Sequence, residues 1–265
     1  MITLETLEVT SFNFGQRTLN WTVESTTESI SDYELNIYRA EFYPQGDVLD
    51  QMVLVASGIT AESYDWTDYT ISGYEYSQHR EFYYAAVPTN ESTSVQGDYV
   101  GPSTVIAQAD FIADFVKLEQ GIGFRLTGQP LAVLKKKTFG TYCTCYDSTL
   151  GRQTESNCED CYDTGFDGGY YDSIIVSGIL NAYPKRQMIM DWGVWEPGDA
   201  MMTLQSYPVI SPDDVLVDRV NKRWKIITVN PTNKSMSLII QNCQIRLIPK
   251  SDAIYQFTIP DLSGY

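Results

Sequence analysis

The sequence predicts a mainly β protein in four parts: an N-terminal sandwich, a short linking helix, a cysteine-stapled segment and a small C-terminal β-barrel. Three observations carry this expectation. Short runs of alternating apolar and polar residues recur along the chain, separated by glycine and proline turns. Four cysteines, Cys143, Cys145, Cys158 and Cys161, crowd into one short window. The charge is also uneven: residues 1–107 hold sixteen acids against three bases and no lysine, a net of −13, whereas residues 108–265 stand at −3. That break marks a domain boundary, and an acidic first domain repels nucleic acid and anionic membrane.

Residues 1–107 alternate with period two. Leu19, Trp21 and Val23 share one face of a strand, as do Tyr33, Leu35 and Ile37, and again Phe82, Tyr84 and Ala86. Gly46, Gly58, Gly73 and Gly97 punctuate these runs, which suits a two-sheet sandwich. Trp21 and Tyr33, followed by the later aromatic run Phe82-Tyr83-Tyr84, resemble the core positions of a fibronectin type III domain. The resemblance departs at the later run. There Phe82 has no hydroxyl for the bond that closes the corner in that family, so Tyr83 is expected to supply it. Such modules serve as spacers or docking surfaces.

The period then changes. Phe111, Phe115 and Leu118, with Ile112 beside them, fall at helical spacing, with Asp110, Asp114 and Lys117 facing away. Asp110 as N-cap and Gly121 as stop predict a linking helix within 108–123. The run Lys135-Lys136-Lys137 follows; it suits a phosphate contact, an edge guard or a solvated turn.

Cys143-x-Cys145 and Cys158-x-x-Cys161, in a segment spanning 140–171, have the spacing of a four-thiolate metal site, each pair strapping one edge of the ion. The only histidine, His79, lies in the other domain, so an all-sulfur site is expected, closed and structural, with Zn²⁺ as the ion. Two disulfides or reduced thiols are the alternatives. The N-terminus lacks a basic start and an apolar stretch, which points to a reducing compartment where metal prevails over disulfide. Gly165, four residues past Cys161, lets the backbone turn toward the sulfurs. Cys243 reads as a small buried hydrophobe.

Residues 124–265 are read as the barrel domain carrying the cysteine segment. Apolar segments at 174–176, 188–190, 201–204, 215–217, 224–229, 236–240 and 245–248 alternate with proline-bearing loops, a rhythm suited to a small closed barrel. Residues 215–218 and 223–227 read as a hairpin, with Asp218 and Lys222 or Arg223 as a surface pair. The segments Gly198-Asp199, Pro212 to Asp218, Arg223-Trp224-Lys225 and Ile240 to Ile248, with the preceding cysteine-rich stretch, resemble the β-barrel neck proteins of tailed bacteriophages. That resemblance implies a homo-oligomeric ring between the portal side and the tail side around a DNA channel. Its partners would be portal or adaptor and tail-terminator proteins, with a fibre or collar protein on the sandwich. DNA would be passing cargo, and the protein would belong to the virion, assembled in the host cytoplasm without a membrane.

No enzyme signature emerges. His79 sits in a turn-like Ser77-Gln78-His79-Arg80, Asp213 and Asp214 follow a proline and read as a turn, and no phosphate loop is present. Other readings are a tail or baseplate adaptor, or a glycan-binding or adhesion module using Tyr69, Tyr74 and Tyr76.

Overall fold

The computed structural model describes residues 2–11, 16–24, 28–45, 47–71, 82–105, 111–147, 149–181, 198–234 and 237–262. Internal contacts divide the chain into two compact units. The first comprises Met1–Ala109, Lys137–Arg152 and Gly165–Asp167; the second comprises Asp110–Lys136, Gln153–Thr164 and Gly168–Tyr265.

Among the described residues the N-terminal part of the first unit holds seven strands, β1 (Leu4–Thr10), β2 (Arg17–Val23), β3 (Tyr33–Ala40), β4 (Val53–Thr60), β5 (Trp66–Asp68), β6 (Tyr83–Asn90) and β7 (Val100–Ser103). They form two sheets of order β1-β2-β5 and β4-β3-β6-β7. Alternate residues of β2, β3 and β6 supply one core, including Leu19, Trp21, Leu35, Ile37, Tyr84 and Ala86. The Trp21 indole donates to the Ala61 carbonyl at 2.9 Å, so its one polar atom is satisfied inside that core. Of the four strands that the periodic reading missed, β1, β4, β5 and β7, two did so for identifiable reasons. In β1 the register shifts between Leu4 and Thr6, which breaks the alternation, and β4 is exposed along most of its length.

In the later aromatic run it is the Tyr84 hydroxyl that reaches a buried acceptor. Phe82 and Tyr84 are buried, and the Tyr84 hydroxyl donates to Asp68 Oδ2 at 2.9 Å. Tyr83, on the opposite pleat, packs edge-on against Tyr43. Asp68, fully buried, also accepts from Arg39 Nη1 at 2.6 Å and from the Thr70 amide and hydroxyl at 2.8 and 2.6 Å. Burial pushes the Asp68 carboxyl up, but the Thr70, Arg39 and Tyr84 donors outweigh it and hold the carboxyl below its usual value.

In the second unit the helix α1 spans Phe111–Thr127, longer than the 108–123 read from sequence. Gly121 does not stop it; α1 runs on to Gly128, whose amide donates to the Phe124 carbonyl at 2.8 Å. Among its described side chains the faces are also reversed, those of Phe111, Ile112 and Asp114 lying outside the description. Ala113, Lys117 and Phe124 are buried, while Phe115 and Leu118 are exposed. Asp110 lies outside the described residues.

After β8 (Gln129–Leu134) comes the cysteine segment with the short strands β9 (Tyr146–Asp147) and β10 (Arg152–Gln153), paired as a two-stranded hairpin. Then β11 (Ile174–Asn181), β12 (Asp199–Gln205), β13 (Val215–Val217), β14 (Arg223–Lys234) and β15 (Ser237–Leu247) join β8 in a closed six-stranded barrel, ordered β11-β12-β15-β14-β13-β8. The barrel predicted from the segment rhythm is therefore present. The segments at 236–240 and 245–248 belong to one strand, β15, and residues 188–190 lie outside the described residues. Leu131, Val133, Met202, Leu204, Leu216, Ile226 and Ile245 fill the interior.

The 215–217 and 223–225 hairpin is as read, with Val215 opposite Lys225 and Val217 opposite Arg223. Its charges are not a surface pair. Asp218 Oδ1 accepts the Val220 and Lys222 amides at 3.0 and 2.9 Å, closing the turn. Arg223, 2% exposed, donates to the Ile254 and Phe257 carbonyls. Both charges are taken up largely by backbone, with Arg223 also reaching Asn221 Oδ1 at 3.4 Å, which the spacing of these residues does not reveal.

Two outcomes test this packing. Leu216→Ala, at a fully buried position, costs roughly 2–5 kcal/mol by urea unfolding. Asp68→Asn costs roughly 2–4 kcal/mol at neutral pH, because Arg39 and Tyr84 lose their acceptor. The native carboxyl sits below 3.8, so its stabilisation is present above that value and lost as pH falls through the lowered one. The gap between variant and wild type therefore narrows under acid.

Candidate metal centre

The centre is made within one stretch of chain. Cys143, Cys145, Cys158 and Cys161 are all buried, and their four Sγ atoms lie within 4.8 Å of one another. A tetrahedral ion with metal–sulfur bonds of about 2.3 Å sets its sulfurs about 3.8 Å apart, which this cluster accommodates. No disulfide joins any of them. The residues predicted from spacing are therefore brought together, and the arrangement can hold a metal.

Local backbone chemistry explains why the two pairs converge. The Cys143 amide donates to the Gly165 carbonyl at 3.0 Å, and the Tyr146 amide to the Cys143 carbonyl at 2.9 Å, so the first pair sits in a tight turn. In the second pair the Tyr162 amide reaches the Cys158 carbonyl, and the Thr164 amide and hydroxyl reach the Cys161 carbonyl at 2.9 and 2.7 Å. Asp163 Oδ1 takes the Cys158 amide at 3.1 Å. The chain then turns back through Gly169, at φ +65°, where a Cβ would lie 2.4 Å from the Cys161 carbonyl oxygen. Only glycine lets the backbone pass so close.

Between the pairs, the stretch that reads as a polar loop is the β9–β10 hairpin. Asp147 Oδ1 accepts the Thr149 and Leu150 amides at its turn. The hairpin brings Gln153 Nε2 to 3.7 Å from Cys161 Sγ, a donor to the sulfur that stabilises thiolate charge. Gly165 lies at φ +88°, the turn expected of it, and its carbonyl receives the Cys143 amide. Nothing in the sequence distinguishes Gln153 from its polar neighbours, so sequence reading had no signal for it. Tyr142 stacks on Tyr146 at 4.5 Å and on Phe166 at 5.2 Å, giving the first pair an aromatic wall. The second pair is tied to the C-terminal turn, where the Ala253 amide donates to Asn157 Oδ1 at 2.7 Å.

The other candidates resolve as follows. Lys135 is buried and pairs with the buried Asp214, which also accepts the Lys136 and Ser211 amides at 3.0 and 2.7 Å. Burial pushes the Asp214 carboxyl up, working against the Lys135 contact. Lys136 lies 3.3 Å from Asp213, and Lys137 donates to the Asp167 carbonyl at 2.8 Å. Each of the three lysines thus has an acceptor within the chain, buried for Lys135 and half-buried for Lys136 and Lys137. Asp213 bridges Lys225 at 2.7 Å and Lys136, and these bonds hold its carboxyl low. These groups border a cleft of about 250 Å³ with Tyr170 and Arg246. Cys243 is fully buried in β15, where burial pushes its thiol up to about 12, as suits a small core residue. Tyr69 is exposed; His79, Tyr74 and Tyr76 lie outside the described residues.

The chain matches no protein-family model, and no curated protein is significantly similar to it.

Titration with Co²⁺ under reducing conditions is expected to give the intense sulfur-to-metal absorption of a four-thiolate tetrahedral site at one equivalent per chain. Cys161→Ser and Cys143→Ser each lose that spectrum, whereas Cys243→Ser keeps it.

Proposed function

We propose that this protein is a non-enzymatic virion component of a tailed bacteriophage, forming a homo-oligomeric ring in the neck between the portal side and the tail side. The observation that carries this reading is a closed six-stranded barrel with the cysteine segment inserted after its first strand, the combination on which the resemblance to neck proteins rests. The β14–β15 hairpin supports it further. Among the described residues β14 pairs with β13 only through Arg223–Lys225, while its pairing with β15 runs out to Lys234 opposite Ser237. A hairpin overhanging a barrel, exposed at its end, suits a contact with a neighbouring subunit. Residues 108–265, which build the barrel, carry a net charge of −3, so a channel wall made from them has no excess of base to hold DNA.

In this reading the four thiolates hold Zn²⁺ as a structural ion. Bound there, the ion supplies no reaction; it fixes the two turns that the hydrogen bonds already shape. The strand order of the first unit, three strands facing four around buried Trp21, supports a fibronectin type III-like module, which would serve as decoration or as the dock for a fibre or collar protein. A tail or baseplate adaptor would use the same parts at another position in the particle.

The test is assembly. Negative-stain images of the purified protein are expected to contain rings, and the protein is expected to bind isolated portal or tail-ring assemblies. A monomer that binds neither removes the proposal. Elemental analysis is expected to find one zinc per chain, and its removal under denaturing chelation should lower the melting temperature on refolding.

A further inference from the structure

From the meeting of Lys135 and Asp214, we propose that these two side chains condense into an intramolecular amide, a covalent cross-link between the end of β8 and the turn that enters β13. This modification does not rest on the neck reading. The two residues lie 79 positions apart, and closure of the barrel brings Lys135 Nζ into contact with Asp214 Oδ2. Their side chains are 5% and 2% exposed, whereas Lys225 against Asp213 is 50% exposed and Arg246 against Asp199 is 36%. Set beside the buried residues 131–134 and 215–217, the pair bears the desolvation cost of two charges. An amide removes both charges, and that cost with them.

The surroundings already fit the product. Lys135 Nζ donates to the Val209 carbonyl at 2.8 Å, an acceptor for the one N–H that the amide keeps. Asp214 Oδ1 accepts the Lys136 amide at 3.0 Å, a donor for the carbonyl that the amide keeps. Oδ2 is the oxygen that leaves. It accepts the Ser211 amide at 2.7 Å, and the Ser211 hydroxyl lies 3.4 Å from Nζ, placed to carry a proton from the amine.

The step balances without a co-reactant. Within the pair one proton passes from the ammonium to the carboxylate, giving an amine and a carboxylic acid. The Nζ lone pair attacks Cγ, the Cγ–Oδ2 bond breaks, and Oδ2 departs as water carrying two protons that began on Nζ. The Lys136 amide stabilises Oδ1 as it gains charge during the attack. Burial pushes the Asp214 carboxyl above its usual value even against the Lys135 contact, which favours the acid form that the attack requires. Two groups held in this way react at an effective concentration on the order of 10⁵–10⁸ M, so folding itself supplies the encounter.

The experiment is the intact mass of the purified full chain, denatured and reduced so that no bound metal contributes. Wild type is expected to be lighter than its sequence mass by one water, and proteolysis to release the fragments holding Lys135 and Asp214 as one joined species. Lys135→Arg keeps a cation beside Asp214 but has no amine that condenses, so it is expected to show its full sequence mass and separate fragments. On a denaturing gel wild type is expected to run ahead of Lys135→Arg, because the linked chain keeps a closed loop when unfolded. Wild type at full sequence mass overturns the proposal and leaves a buried ion pair, a result that depends on no variant folding. A one-water deficit that maps to other residues, or that persists in Lys135→Arg, overturns it as well.

Discussion

The second unit depends on β8 being paired on both edges. Ile174 to Gly178 of β11 pair along one edge, and Val215 to Val217 of β13 pair along the other, which closes the barrel. A strand paired on both sides must also be covered on both faces. Leu131 and Val133 point into the barrel core, while Ala132 and Leu134 join an outer cluster with Val215, Val217, Ile254 and Leu262. That double burial accounts for the unbroken apolar run Leu131-Ala132-Val133-Leu134, which lacks the alternation of a one-sided strand. The same strand continues from the end of α1 and leads into the cysteine segment, so its closure sets where both begin.

The polar groups around β8 work in the service of that closure. Lys135 leaves the strand directly into a buried pairing with Asp214, just before β13, so the first charge after the core is met by an acid at the neighbouring strand. Such a buried pair contributes little net stability when intact, but strongly disfavours any register that separates its partners. Asp68 plays the comparable part in the first unit, joining β3, β5 and β6 through Arg39, Thr70 and Tyr84. In both units a single carboxylate with several donors specifies the arrangement that the apolar core alone would leave loosely defined.

Legibility followed periodicity. The strands β2 and β3 could be read because their alternation is regular, and the hairpin of β13 and β14 because its two apolar runs are close in sequence. Strand β4 was hidden because an edge strand has little to bury, and β1 because a bulge shifts its phase. The helix illustrates a different failure. Its periodicity was visible, but a pattern of period 3.6 places residues on one face without fixing which face is buried. In α1 the stripe points outward and Lys117 inward. The clustering of the four cysteines was legible, since thiols at two- and three-residue steps have few other uses at this density. Their hydrogen-bonding neighbour Gln153 was not, because an amide reports its role only through its position.

By itself the sequence determined that the chain is mainly β, that a barrel lies toward its C-terminus and that four thiols serve one centre. Those properties reside in local pattern and in the chemistry of side chains close along the chain. The tertiary structure alone decided which hydroxyl reaches Asp68, which acids the three lysines meet and which face of α1 stays open. These depend on groups tens of residues apart, such as Lys135 and Asp214, whose meeting is set by barrel closure and leaves no trace in the spacing of either.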